Sequence, residues 1–347
     1  MLLDADNYKR CVAGFALTDC AVRSRDTFYF VMMAEYDQDE PPPPDVDRLT
    51  RVNVCFAGKP MDQRWRLISF KGFDGLMGTV ARASAGGRSP DAAQAPAEQF
   101  VGVDRDGQVV SFGGGKKEHE RPIAAGPKGP RRGGVRKIRT IDGKVHASSG
   151  YRGLARREAH NQWVSLCDTL DFTPAKGALP NEYGFDDFDA FDANDLYAVG
   201  GKGDVWRFGP KGWLQLDFPT NQRLETVCCA GDGTVYVGGP SGSVWRGRDD
   251  EWHQVRRGDM VLSFRDMVWY RDRVYCTSDY GLWQIQGDRF SEADVPDEVK
   301  VCSGNLDVAD GVMLLAGVHG AAVLEGESWT RIFDIFTFTG PPPGATP

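Results

Sequence analysis

"DLYAVGGKGDVWRFGPKGW" (Asp195–Trp213) and "GTVYVGGPSGSVWRGRDDEW" (Gly233–Trp252) decide how this chain of 347 residues is read. Each sets an apolar run, a double glycine, a Trp-Arg pair and a closing tryptophan in the same order. Singly, a glycine-rich loop between apolar runs suggests phosphate binding. Together they are one unit met twice. Tyr197, Tyr236, Tyr275 and Leu314 stand 39 residues apart. Trp213, Trp252, Phe290 and Trp329 keep step with them, and Trp206, Trp245 and Trp283 lie between.

Units of about 40 residues, each holding short strands, indicate an all-β fold, a single β-propeller whose blades are four antiparallel strands. One blade reads directly: "LETVCCAG" (224–231) as the inner strand and "GTVYVGG" (233–239) after a tight turn. "GSVWRG" (242–247) and the alternating "EWHQV" (251–255) complete it. Gly200, Gly201, Gly238 and Gly239 then belong to turns and need no ligand. In the first half, "DGKVHASSGYRGLARREAHNQWVSL" (142–166) is a further unit with His146 at the tyrosine place. "QFVGVDRDGQVVSFG" (99–113) is the middle of another, and "DTFYFVMM" (26–33), "VNVCFAG" (52–58) and "WRLISF" (65–70) suit a first blade. The expected count is seven blades, with six or eight as alternatives. The terminal segments "RCVAGFAL" (10–17) and "DIFTFTG" (334–340) are candidates to share one blade.

The whole of 1–347 is expected to be one domain, with loop insertions near 34–48, 81–99, 116–134 and 167–184 and a flexible tail at 341–347. Two of these regions carry blocks of charge. Residues 116–139 hold nine Lys or Arg against two Glu. "NEYGFDDFDAFDAND" (181–195) has six acids, no base, and Phe185, Phe188 and Phe191 interleaved. This second stretch reads either as a surface for a basic protein or as the inner strand of the Tyr197 blade.

The formal net charge of −8 excludes a general affinity for nucleic acid and suits a basic partner. The N-terminus lacks the basic start and long apolar core of a secretion signal, and no apolar run is long enough to span a bilayer. No two of the eight cysteines are spaced C-x-x-C, so buried reduced thiols and a cytoplasmic setting are expected.

The strand–double glycine–strand–Trp pattern of 195–213 and 233–252 resembles the broad superfamily of bacterial propellers related to the WD-repeat, YVTN-type and Asp-box families. The resemblance is clear over 195–332 and implies a fold more than a function. No Trp-Asp dipeptide occurs anywhere, and an Asp-box is approximated only by "DRDGQVVSF" (104–112).

Among the histidines, His119, His146, His160, His253 and His319 make no H-E-x-x-H or H-x-H. There is no G-x-S-x-G elbow and no Walker spacing. The reading therefore assigns no catalytic, cofactor or metal-binding residue. It expects a non-catalytic, protein-binding propeller, and most specifically a bacterial immunity protein that caps a basic toxin domain. The partner-binding candidates are Asp186, Asp187, Asp189, Asp192, Asp249, Asp250, Glu251, Arg131, Arg132 and His319, with no membrane or nucleic-acid partner. Two alternatives stay open. One is a hydrolase or lyase using channel acids such as Asp187, Asp189, Asp266 or Asp307, and the other is an assembly scaffold.

Overall fold

The computed structural model describes residues 1–36, 44, 47–82, 98–170 and 182–340. Its strands fall into seven four-stranded sheets. The first holds β1 (Phe15–Ser24), β2 (Thr27–Ala34), β3 (Leu49–Phe56) and β4 (Trp65–Lys71). The second holds β5 (Met77–Arg82), β6 (Glu98–Val103), β7 (Val109–Gly113) and β8 (Lys116–Glu120). The third is β9 (Val135–Ile141), β10 (Lys144–Ser149), β11 (Gly153–Ala159) and β12 (Gln162–Ser165). The fourth is β13 (Asp187–Asp192), β14 (Asp195–Gly200), β15 (Asp204–Gly209) and β16 (Gly212–Gln215). The fifth is β17 (Thr226–Cys229), β18 (Val235–Gly238), β19 (Val244–Arg248) and β20 (Glu251–Arg256). The sixth is β21 (Asp266–Tyr270), β22 (Arg273–Ser278), β23 (Gly281–Gln286) and β24 (Arg289–Glu292). The seventh is β25 (Asn305–Ala309), β26 (Val312–Gly317), β27 (Gly320–Glu325) and β28 (Ser328–Asp334). Within each sheet the strands lie in chain order, which makes the fold a seven-bladed β-propeller.

The repeat has a packing cause. Tyr197, Tyr236 and Leu314 occupy second strands with no exposed surface. An aromatic there fills the gap between sheets and holds its hydroxyl at the strand margin. His146 takes the same place in β10, where burial lowers its pKa to about 4 and keeps the ring neutral. The double glycines close the turns between second and third strands. A Cβ at Gly200 would lie 2.0 Å from the Gly184 carbonyl oxygen, and Gly201 adopts a φ of +45°. Close backbone approach at Gly200 and a left-handed φ at Gly201 require these glycines.

The described residues form two compact units. The first comprises Met1–Leu76, Thr277–Trp283 and Glu292–Pro347, and the second Met77–Cys276 and Gln284–Ser291. The first unit's core joins Phe28, Phe30 and Trp65 to Leu314, Val323 and Phe333. The expectation that the two terminal segments share a blade is wrong: β1 belongs to the first sheet and β28 to the seventh. The termini meet instead through side chains and one backbone bond. Tyr8 stacks on Phe338 at 4.5 Å, and Leu2 N donates to Ile332 O at 2.7 Å. Strand sharing is unnecessary because β1 already packs beside β25: Val22 N donates to Asp307 Oδ2 at 2.6 Å and Arg25 N to Asp310 Oδ2 at 2.9 Å.

In the second unit, the basic stretch begins as a strand, since Lys116–Glu120 is β8. The acidic–aromatic stretch supplies β13, with Phe185 and Phe188 fully buried. Most of the expected insertions at 34–48 and 81–99, part of that at 167–184, and the whole 341–347 tail lie outside the described residues. All eight cysteines are free, and all but Cys229 are buried. Burial pushes the thiols of Cys55, Cys167 and Cys302 up to about 12, so these sulfurs stay protonated and inert.

Candidate functional site

First strands of neighbouring sheets in the second unit run parallel, and acids on them reach across. Asp187 Oδ2 accepts from Val227 N at 3.0 Å, and Asp189 Oδ2 from Cys229 N at 2.7 Å, a constant step of 40 residues from β13 to β17. The Asp307–Val22 bond repeats this device in the first unit. An ionised carboxylate accepting a neighbouring strand's amide is a strong hydrogen bond, on the order of 1.5–3 kcal/mol. Three of the acids considered as channel chemistry therefore join sheets.

Around Asp187 lies a buried set of charges. Arg139 of β9 reaches Asp187 at 3.1 Å and Asp266 of β21 at 3.3 Å, while Lys137 reaches Asp266 at 3.0 Å. Both aspartate side chains are only 3% exposed. Asp187 also accepts from Thr226 Oγ1 at 2.9 Å and Phe188 N at 2.8 Å. With the Val227 amide and the guanidinium, every lone-pair direction of this carboxylate is taken. Burial opposes the Arg139 charge, but Asp187, Asp189 and Asp266 outweigh it and hold the guanidinium protonated. Burial raises the Asp189 carboxyl above its ordinary value, and Arg139 and the Cys229 amide only partly restore it. Of the suspected acids, Asp187 and Asp266 thus converge, but on two cations.

At one end of these sheets, where first strands turn into second and third into fourth, a Tyr-Arg-Asp link recurs. Arg207 of β15 lies over Tyr197 at 5.8 Å and pairs with Asp249 in the next sheet's turn. One repeat later Arg246 lies over Tyr236 at 5.5 Å and pairs with Asp288 at 3.0 Å. Asp249 is thereby engaged, although its side chain stays 54% exposed. Asp192 accepts from Asn194 N at 2.7 Å and Asp250 from Asp217 N at 3.3 Å. Asp192, Asp250 and the exposed Glu251 meet no cation among the described residues.

The opposite end carries the other nominated residues. Asp186 pairs with Arg223 at 2.8 Å and lies 3.9 Å from Arg136. Arg131 donates to Gly133 O at 3.0 Å, and Arg132 to Cys167 O at 2.6 Å and Leu170 O at 3.0 Å. Arg131 thus ties down its own loop, and Arg132 holds the segment that follows β12. In the first unit, His319 sits in the exposed turn between β26 and β27, its ring 4.9 Å from Phe336. Within the second unit the nominated residues therefore do not form one patch.

Sequence reading missed the connection between β20 and β21. Its "DMVL" (Asp259–Leu262) presents Val261 at 98% exposure. The available signal was two aliphatic residues where the preceding repeat has Gln222 and Arg223.

No family model matches the chain. The immune protein Tsi7 of Pseudomonas aeruginosa is 32% identical over 238 residues, which cover 68% of this chain and 76% of Tsi7. The chain belongs to the Tsi7 immune-protein family. It is a bacterial immunity protein built on a propeller. Solved structures share the fold alone. U3-55K aligns with a TM-score of 0.57 and 12% identity over 87% of this chain and 89% of its own. Sqt1 of Saccharomyces cerevisiae gives 0.52 and 11% over 90% and 96%. PorZ, a surface component of the type-IX secretion system of Porphyromonas gingivalis, gives 0.55 and 11%, the match covering 92% of this chain but 38% of PorZ. Among the described residues no helix is long and apolar enough to cross a membrane.

Proposed function

We propose that this immunity protein acts without catalysis, by binding and neutralising a cognate toxin whose docking face is net basic. The observation that carries the reading is the relationship to the immune protein Tsi7, 32% identity over 76% of that protein. Two features support the finer parts. A net charge of −8 speeds encounter with a basic partner through long-range attraction. Asp187, central among the convergent acids, has no lone pair left for a substrate, and Asp266 is held by Lys137 and Arg139. General acid–base chemistry needs a group free to exchange a proton with a reactant.

The test uses the product of the reading frame adjacent to this gene. Co-expression is expected to restore growth to cells that this product kills, with the two proteins purifying as a one-to-one complex. Raising salt from 50 to 500 mM is expected to slow association about tenfold with little change in dissociation. Absence of rescue would sink the neutralisation reading. Rescue with a salt-independent association rate would remove only the basic docking face.

A further inference from the structure

We propose that Val261 and Leu262 form an apolar anchor that the toxin takes into a concave apolar pocket with a carboxylate at its lip. The inference rests on the toxin-binding reading and says where and how that binding occurs. Blades of a repeat protein share what the fold needs, so a binding element belongs to what one blade does differently. The connection leading into β17, Asp217–Glu225, carries Asn221, Gln222 and Arg223. The connection leading into β25 carries a short helix, Asp297–Lys300. Of these three connections, that between β20 and β21 alone holds two consecutive aliphatic residues, Val261 and Leu262. Val261 is 98% exposed and Leu262 37%, and Val261 is the most exposed large hydrophobic side chain among the described residues.

The loop is held rigidly on both sides of its tip. Asp259 N and Met260 N both donate to Ser241 O, at 3.1 and 2.9 Å. Arg256 donates to Gly242 O at 3.1 Å and pairs with Asp259. A Cβ at Gly258 would lie 2.7 Å from Pro240 O, so the two loops touch backbone to backbone. After the tip, Ser263 Oγ donates to Glu225 Oε1 at 3.0 Å and Phe264 is buried. A mobile apolar tip would lose its gain on docking to the cost of ordering, whereas a pinned one is already in its bound shape. A few residues seated in well-packed, desolvated pockets carry most of an interface's affinity, and a preorganised anchor loses least on being seated.

Shape and charge define the occupant. A convex aliphatic tip is complemented by a concave apolar pocket. Asp259 is neutralised by Arg256, but Arg257 is exposed and has no ion-pair partner among the described residues. One unpaired cation four residues before the tip calls for one carboxylate at the pocket's lip.

The probe is the product of the adjacent reading frame, in an inactivated form, titrated calorimetrically against wild type, Val261→Asp, Leu262→Ala and Lys211→Ala. Circular dichroism and melting temperature check that each variant folds, and Val261→Ala serves if Val261→Asp does not. Val261→Asp is expected to weaken binding about 30-fold or more, equivalent to ~2 kcal/mol. Leu262→Ala is expected to weaken it about fivefold, and Lys211→Ala, in the exposed turn between β15 and β16 at the other end of the sheets, less than twofold. Tight binding that Val261→Asp leaves unchanged would overturn the anchor and leave the toxin reading intact. No binding by wild type would overturn both. Concentration-dependent dimerisation of wild type, lost in Val261→Asp, would reassign the tip to contact between copies and also overturn the proposal.

Discussion

Replacing Arg139 with methionine keeps much of the side-chain volume and deletes the charge between Asp187 and Asp266. The guanidinium is 16% exposed and both carboxylates are 3% exposed, so water cannot replace it cheaply. Removing one partner of such a buried set typically costs 3–5 kcal/mol. Here the residual donors matter. Asp187 keeps Thr226 Oγ1 and the Val227 and Phe188 amides, and Asp266 keeps Lys137. The expected loss therefore lies at the lower limit, about 3 kcal/mol at pH 7. Urea unfolding followed by tryptophan fluorescence measures it as a shift in midpoint at unchanged slope. Adding Asp187→Asn removes one uncompensated charge and is expected to recover part of the loss: its one carbonyl oxygen still accepts from Thr226 Oγ1 and the Val227 amide, while its NH2 replaces the oxygen that accepted from Phe188 N. The pH dependence has a definite sign. Burial raises the Asp189 carboxyl above its unfolded value, so the folded state binds the proton first. Stability contributed by this group falls as pH rises through that window. Without Arg139 the carboxyl rises further, so the variant's deficit should grow from pH 4 to pH 7. A loss below about 1 kcal/mol, or no recovery on adding Asp187→Asn, would refute the reasoning that these charges depend on one another for their burial.

Two further predictions concern other joints of the second unit. Glu120 is fully buried against Arg157 at 2.6 Å. Burial alone would raise its carboxyl, but the hydrogen bonds and charge of Arg157 win and hold it below the ordinary value of 4.5. A depressed carboxyl contributes stability above 4.5 that is lost as pH falls through the folded value. Glu120→Gln should therefore lower stability at pH 7 and show a shallower acid-unfolding slope below pH 4.5; an acid limb identical to wild type would contradict this. Gly200→Ala should lower stability by about 2 kcal/mol or more, because its Cβ would sit 2.0 Å from the Gly184 carbonyl, and a melting temperature within a degree of wild type would show that the turn yields easily.

Much of the fold was legible because the sequence repeats. A 39-residue step in Tyr197, Tyr236, Tyr275 and Leu314 fixes second strands, and the tryptophans that keep step fix third and fourth. The blade count was legible where that pattern is strong, and it extended to His146 through local context. Closure was not. Apolar terminal segments look alike whether they pair as strands or pack side chains, and only the folded structure stacks Tyr8 on Phe338.

The function class followed from absences and net charge, but the candidate site did not. Asp187, Asp189 and Asp249 looked like surface acids because sequence shows what a residue carries and not what stands opposite. Each faces a partner 40 or more residues away, such as the Val227 and Cys229 amides or the Arg207 guanidinium. Arg132 likewise donates to a carbonyl 35 residues on, that of Cys167.

The sequence by itself determined the repeat, the strands within it and the glycine turns, since these depend on residue type and local spacing. Tertiary structure alone decided which charges are spent inside and which side chains remain for a partner. Charge pairing and exposure depend on distances between strands far apart in the chain. Those distances bury Asp187 against Arg139 and leave Val261 standing in solvent.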